Sequence, residues 1–550
     1  MKKMKFISIF TFTIAFVTMS FTTLAACSEK KDSSMNFSGG NATNTNVALV
    51  ASVTELQSKL SCNVIPDTIC IKNGTYDTFV VTIAQSGKSR NPLVIMAEEP
   101  GKVIFKGATE FKLLGNYIEL NGFYFSEAVA GGLRQPIVNI TGDHNRVTQC
   151  AFHACHHRVA VSSVYQSATD KMPQYTHIDH CYFADNLGFG LYLDLGKTPP
   201  STDEKYTMYY RVNNCYFSTP FKMGANTGSS MRIGLGDQSA YGRCLVDNNL
   251  FERQNGEDEL IEGKSTENLY INNTFLNCES NMSFRQGHRT VFLHNQLIGT
   301  DAKRPTGGLS MWMDDAIIAG NYFSFPHGSY VSLRTNMTQR DDRKPAAVVH
   351  FNCGYKNFVR TNGKFATHLA AQNNTFVNNT FDRCKDYLFN AIYIQYQMVN
   401  WGTESTVPYN NLIKDNDVIS GEFENTNYIY KDQNFETKNN KIENLRFVNA
   451  SSSPLNIPVD KINYPLLSSM QAWLGQLPGD NKNYDLNALA NSKAGTYSLY
   501  KNAVKVNLST KPLSFKDVGP DWLTENPSTF AQNGEYTPEL IATIREKVGL

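Results

Sequence analysis

Val212-Asn213-Asn214-Cys215-Tyr216-Phe217 is one copy of a phrase whose return decides the fold: an aliphatic residue, one or two Asn, Asp or His, then an aromatic pair. Upstream it reads Leu120-Asn121-Gly122-Phe123-Tyr124-Phe125, Val147-Thr148-Gln149-Cys150-Ala151-Phe152 and Ile178-Asp179-His180-Cys181-Tyr182-Phe183. Downstream it reads Val246-Asp247-Asn248-Asn249-Leu250-Phe251, Ile271-Asn272-Asn273-Thr274-Phe275-Leu276, Leu293-His294-Asn295-Gln296-Leu297-Ile298 and Ile318-Ala319-Gly320-Asn321-Tyr322-Phe323. The last positions step by 27, 31, 34, 34, 25, 22 and 25 residues, and Val377-Asn378-Asn379-Thr380-Phe381 is a later copy. Each phrase is too short for a helix and alternates like a strand around a polar corner. A unit of this length with Asn at the turn fits one coil of a parallel β-helix. Asn tolerates the left-handed backbone of a tight corner, and stacked Asn side chains can bond from coil to coil. A β-sandwich also has Asn-rich turns, and propeller blades are longer and more even, near ~40 residues. The expected fold is therefore an all-β, single-stranded parallel β-helix with a C-terminal extension.

Working outward, four segments are expected. Residues 1–26 are an export signal: Lys2, Lys3 and Lys5 precede an apolar run that ends at Leu24-Ala25-Ala26-Cys27. Small residues before a cysteine make this a lipobox, with a plain signal peptide as the alternative. A lipid on Cys27 would anchor an exported bacterial lipoprotein to a membrane it does not span. Residues 27–46 are a polar tether, 47–400 the β-helix, and 401–550 irregular coils and a capping extension. Pro538–Val548 reads as a terminal helix covering an open end of the solenoid. Removing the signal takes three lysines from a net charge of +1, leaving −2. Nothing global points to nucleic acid, so an acidic substrate must be held by local basic residues. Of the 11 cysteines, Cys62 and Cys70 flank a turn and are the expected disulfide pair, while several others recur at one repeat position and read as buried packing. A closed solenoid offers no dimer seam, so a monomer is expected.

The chemistry should sit where charge breaks the repeat. The densest break is Gly256-Glu257-Asp258-Glu259-Leu260-Ile261-Glu262-Gly263-Lys264-Ser265. Glu257 and Glu259 are two apart and share a face on a strand. Paired carboxylates repel unless a cation lies between them, and hard oxygens select Ca²⁺ or Mg²⁺ over zinc. The alternative is a solvated acidic turn. Lys264 and Arg285 are 21 residues apart, close to one coil, so they can meet beside the carboxylates. A salt-bridge ladder among these four is the structural alternative. Asn226, one coil earlier, can offer a neutral amide oxygen.

Glu-x-Glu, a Lys seven residues after the first Glu and an Arg 21 beyond that Lys resemble polysaccharide lyase family 6, which holds chondroitinase B and many alginate lyases. Gly242-Arg243-Cys244-Leu245-Val246-Asp247 through Asn277-Cys278 and Met282-Ser283-Phe284-Arg285 are most similar to chondroitinase B. So are Asn73-Gly74-Thr75-Tyr76, Ser86-Gly87-Lys88-Ser89, Pro100-Gly101-Lys102-Val103, Pro512-Leu513-Ser514-Phe515 and Trp522-Leu523. The resemblance implies a right-handed helix and a calcium-assisted lyase that cleaves a uronate polysaccharide, dermatan sulfate first and alginate as the alternative. It implies calcium ligands at Asn226, Glu257 and Glu259, a base at Lys264, and an acid or charge-stabilising role for Arg285. Two departures bear on the substrate. Gln286 stands where the family has His, with His288 nearby. The stretch that carries adjacent arginines in chondroitinase B offers only Lys356, Arg360 and Lys364, with Arg334 as a further candidate. His288, Arg334, Lys356 and Arg360 are thus the candidate substrate contacts. A pectinase-like hydrolase would use paired carboxylates and have no use for Lys264, and a non-catalytic glycan-binding solenoid would share the scaffold.

Overall fold

The computed structural model describes residues 46–528, apart from 131–134, 167, 195–203, 222–227, 235–240, 330–345, 353, 357–359, 362–363, 366–367, 392–404, 420–428, 432–437, 453 and 481–482. The chain winds into stacked coils whose strands pair in parallel with the coils before and after. They form two long sheets of fourteen and twenty-three strands among the described residues. The larger sheet carries two rows, one from the aromatic strands of the phrase and one from longer strands such as Leu187–Asp194 and Glu259–Lys264. This is the parallel β-helix expected from the repeat.

The register explains the phrase. Its aliphatic residues stack as Val147, Ile178, Val212 and Val246 on successive strands. Its last aromatics stack inside, with ring centroids 4.6 Å apart for Phe125–Phe152 and 5.0 Å for Phe152–Phe183, Phe183–Phe217 and Phe217–Phe251. The polar corner is left-handed in coil after coil, at Gln149, His180, Asn214, Asn248, Asn272, His294 and Asn378, with φ between 48° and 58°. Glycine holds the same corner at Gly122 and Gly320. The next residue points inward. It is Cys150, Cys181 and Cys215 in the early coils, all buried. From there an asparagine ladder takes over, Asn249 to Asn273 at 3.0 Å, Asn273 to Asn295 at 2.9 Å and Asn321 to Asn379 at 2.9 Å. Each amide also satisfies main-chain groups of the coil corner, which is why a buried polar residue is stable there.

Two expectations change. The stack continues past 400, through Leu412–Lys414, Asp417–Ile419, Lys441–Glu443 and Arg446–Val448, all in parallel register with earlier coils. The described C-terminal extension lies along the flanks of the solenoid. The helix Pro465–Leu474 packs Leu467, Met470 and Trp473 on Leu245, Leu269 and Leu293 of the smaller sheet, and Phe515 and Trp522 pack near Tyr182 and Tyr216. The proposed helix 538–548 lies outside the described residues, as do the signal, Cys27 and the tether up to residue 45. Cys62 and Cys70 form no disulfide. Cys62 sits at the end of the helix Val53–Leu60, its thiol 3.4 Å from the Ser58 carbonyl. Cys70 is turned into the core, where burial pushes its thiol up to about 11. The two side chains serve different surfaces of the first coil.

Candidate active site

The strand Glu259–Lys264 lies on the longer row of the larger sheet, between Met231–Ile233 and Asn281–Gln286. Ile261 packs inward. Gly263 follows the same side, where a Cβ would stand 3.4 Å from the Tyr270 hydroxyl. Glu262 and Lys264 therefore share the outer face. Pairing with Asn281–Gln286 slips twice, between Glu259 and Ile261 and between Gly263 and Lys264. Such irregularities re-aim side chains. The first leaves Leu260 as the extra residue and brings Glu259 to the face of Glu262. The second leaves Arg285 as the extra residue beside Lys264.

Glu257, Glu259 and Glu262 are all buried, and one oxygen from each lies within 4.8 Å of the others. Ser229 Oγ sits between Glu257 Oε1 at 2.6 Å and Glu262 Oε1 at 3.1 Å. Ser283 Oγ donates to Glu259 Oε1 at 2.7 Å, and Arg285 donates to Glu259 Oε2 at 2.7 Å. Arg232 Nε donates to Glu262 Oε2 at 3.1 Å, and Lys264 Nζ donates to the same oxygen. Arg285 Nε also donates to His368 Nε2 at 3.0 Å, and the His368 ring meets Trp312 edge-on at 5.3 Å. Three buried carboxylates thus face three cations, Arg232, Lys264 and Arg285.

Burial lowers the pKa of Lys264, since a charged amine loses its hydration there, and Arg232 and Arg285 lower it further against the pull of Glu262. Burial works to raise Glu262, yet Lys264 and Arg232 outweigh it and hold the carboxyl below its ordinary value. The donor set is all oxygen and anionic, which suits a hard divalent cation and not zinc.

The candidates read from sequence divide accordingly. Glu257, Glu259, Lys264 and Arg285 come together. The ion pair of Arg285 with Glu259 is part of the anticipated salt-bridge ladder, but Lys264 pairs with Glu262 instead. Asn226 and Arg334 lie outside the described residues, as does the side chain of Arg360. His288 pairs with Asp314 at a corner between sheets. Lys356 is exposed and follows Tyr355, whose amide donates to the His368 carbonyl at 2.9 Å. Sequence reading did not single out Glu262, Arg232, Ser229 and His368. Glu262 carried a signal, its spacing of two from Lys264. His368 carried none, because 83 residues separate it from Arg285.

The model of the chondroitinase B family matches residues 50–464. A family 6 polysaccharide lyase from Pseudopedobacter saltans superposes with a TM-score of 0.60 at 18% identity, covering 86% of this chain and 99% of that one. The alginate lyase AlyGC gives 0.57 at 18%, covering 86% and 58%. A mannuronic acid specific family 6 lyase from human gut microbiota gives 0.52 at 19%, covering 77% and 90%. No curated protein sequence matches the chain.

Proposed function

The chain belongs to the chondroitinase B family and is a polysaccharide lyase, and from that premise we propose that it cleaves a uronate-containing polysaccharide by calcium-assisted β-elimination, with dermatan sulfate as substrate. The observation that carries this reading is the buried amine of Lys264, with its pKa lowered, beside a permanently charged Arg285 and a cluster of carboxylates. Elimination removes the C5 proton of the uronate, forms the C4–C5 double bond and expels the C4 oxygen with the bonding pair. A neutral Lys264 takes the proton. Arg285 stays protonated and stabilises the charge on the departing oxygen. Glu257 and Glu259, with Asn226, would hold Ca²⁺, which when bound offsets the negative charge of the substrate carboxylate.

Alginate is the second reading, supported by the solved family 6 structures described as alginate lyases. A panel of dermatan sulfate, chondroitin sulfate A, hyaluronan and alginate, followed by ultraviolet absorbance of the unsaturated uronate, separates the readings. Signal from dermatan sulfate is expected. Signal from alginate alone replaces the substrate, and cleavage without absorbance rejects elimination. We also infer export and a lipid anchor at Cys27; Cys27→Ser should move the protein out of the membrane fraction, and unchanged partitioning refutes the anchor.

A further inference from the structure

Glu262 is fully buried, and the lyase chemistry above gives it no role. Its carboxylate contacts are distributed in a definite way. Oε1 faces Ser229 at 3.1 Å, while Oε2 accepts from Arg232 Nε at 3.1 Å and from Lys264 Nζ. Arg232 is itself fixed. Its guanidinium lies 4.9 Å from the Tyr192 ring centroid and donates to the Tyr192 hydroxyl. Tyr192, Arg232 and Glu262 occupy the same register position on three successive coils. Main-chain pairing therefore sets their spacing, and it brings Arg232 to the Glu262 oxygen that Lys264 meets.

A lysine side chain is long and rich in rotamers, so a lysine base needs a partner that holds its amine in reach of the proton. We propose that Glu262 is a positioning residue for Lys264, and that Arg232, braced by Tyr192, keeps the Glu262 carboxylate turned toward that amine. The inference rests on the lyase reading. Glu262 also lies within the carboxylate cluster, so its competing role is as a cation ligand. The geometry favours positioning, because Glu262 Oε2 accepts from both Arg232 Nε and the Lys264 amine, the contact a positioning role requires.

The test uses the full chain and the Glu262→Gln and Arg232→Lys variants. It measures kcat and KM on the cleaved polymer, calorimetric Ca²⁺ binding without substrate, and thermal melting. Misplacing a reacting group by about 1 Å costs on the order of 100-fold in rate, so Glu262→Gln should lose kcat on that scale. KM and Ca²⁺ affinity should stay within about twofold, since the lost contact is to Lys264 and not to polymer or cation. Arg232→Lys keeps the charge but not the fork that spans Tyr192 and Glu262. It should lose kcat on the order of 10-fold by the same loosening, and it carries the test if Glu262→Gln does not fold. Unchanged kcat in the folded variants overturns the proposal. So does a large fall in Ca²⁺ affinity with kcat restored by excess Ca²⁺, which would make Glu262 a ligand. A wild-type chain that cleaves no polymer overturns the lyase reading and the positioning role together; a wild-type chain that cleaves while the variants match it overturns the positioning role alone.

Discussion

Lys264 is a charged residue type in a place that disfavours charge. Burial and two neighbouring guanidiniums favour the neutral amine, and the carboxylates of Glu262 and, to a lesser degree, Glu259 oppose them. Because the base must be neutral to accept a proton, activity should rise with pH and level off above the pKa of Lys264. The shift is downward, so the plateau should begin at lower pH than an ordinary lysine, near ~10.4, would allow. A pH profile of kcat/KM checks this, and a rate still climbing through the ordinary lysine range would contradict it. At this scale the sequence was legible where charge interrupts the repeat, hence Glu257, Glu259, Lys264 and Arg285. Glu262 stands in the same run two residues from Lys264, but the slip in strand pairing that brings Glu259 to its face is not revealed by residue spacing. His368 reaches Arg285 only because the fold returns there.

Among the elements, the asparagine ladder does most to specify the corners. Asn295 is fully buried. Its oxygen accepts from the Asn273 amide N–H and side chain at 2.9 Å, and its Nδ2 donates to the Tyr270 carbonyl at 2.9 Å. Asn295→Ala leaves those groups unsatisfied at about 1–3 kcal/mol each, so a loss of about 2–4 kcal/mol is expected in denaturant unfolding. The active site is on a different strand row, so kcat of the folded variant should hold. The corners were legible because a left-handed backbone and a stacked amide both call for Asn. The coils after 405 were harder to read because the phrase loses its aromatic pair. Asp415-Asn416-Asp417-Val418-Ile419 keeps the corner and the amide but fills the core with aliphatic residues.

On the scale of the whole molecule, the solenoid is completed by chain that does not belong to it. The helix Pro465–Leu474 crosses the smaller sheet, and Trp473 packs there at 4% exposure, its ring 6.5 Å from that of Tyr209. Trp473→Ala should cost about 3–5 kcal/mol, seen as a lower melting temperature, with little effect on KM because the helix covers a face away from Lys264. This covering was not legible, since nothing in the sequence names the surface that this segment meets.

The central claim is that Lys264 is the base of an elimination. The direct measurement compares the wild-type chain with Lys264→Met on the polymer that the panel identifies, reading both polymer binding and ultraviolet absorbance of the product. The predicted result is unsaturated product from the wild type, and a folded variant that binds the polymer and forms none. A variant that still forms unsaturated product at a rate near the wild type's would contradict the account.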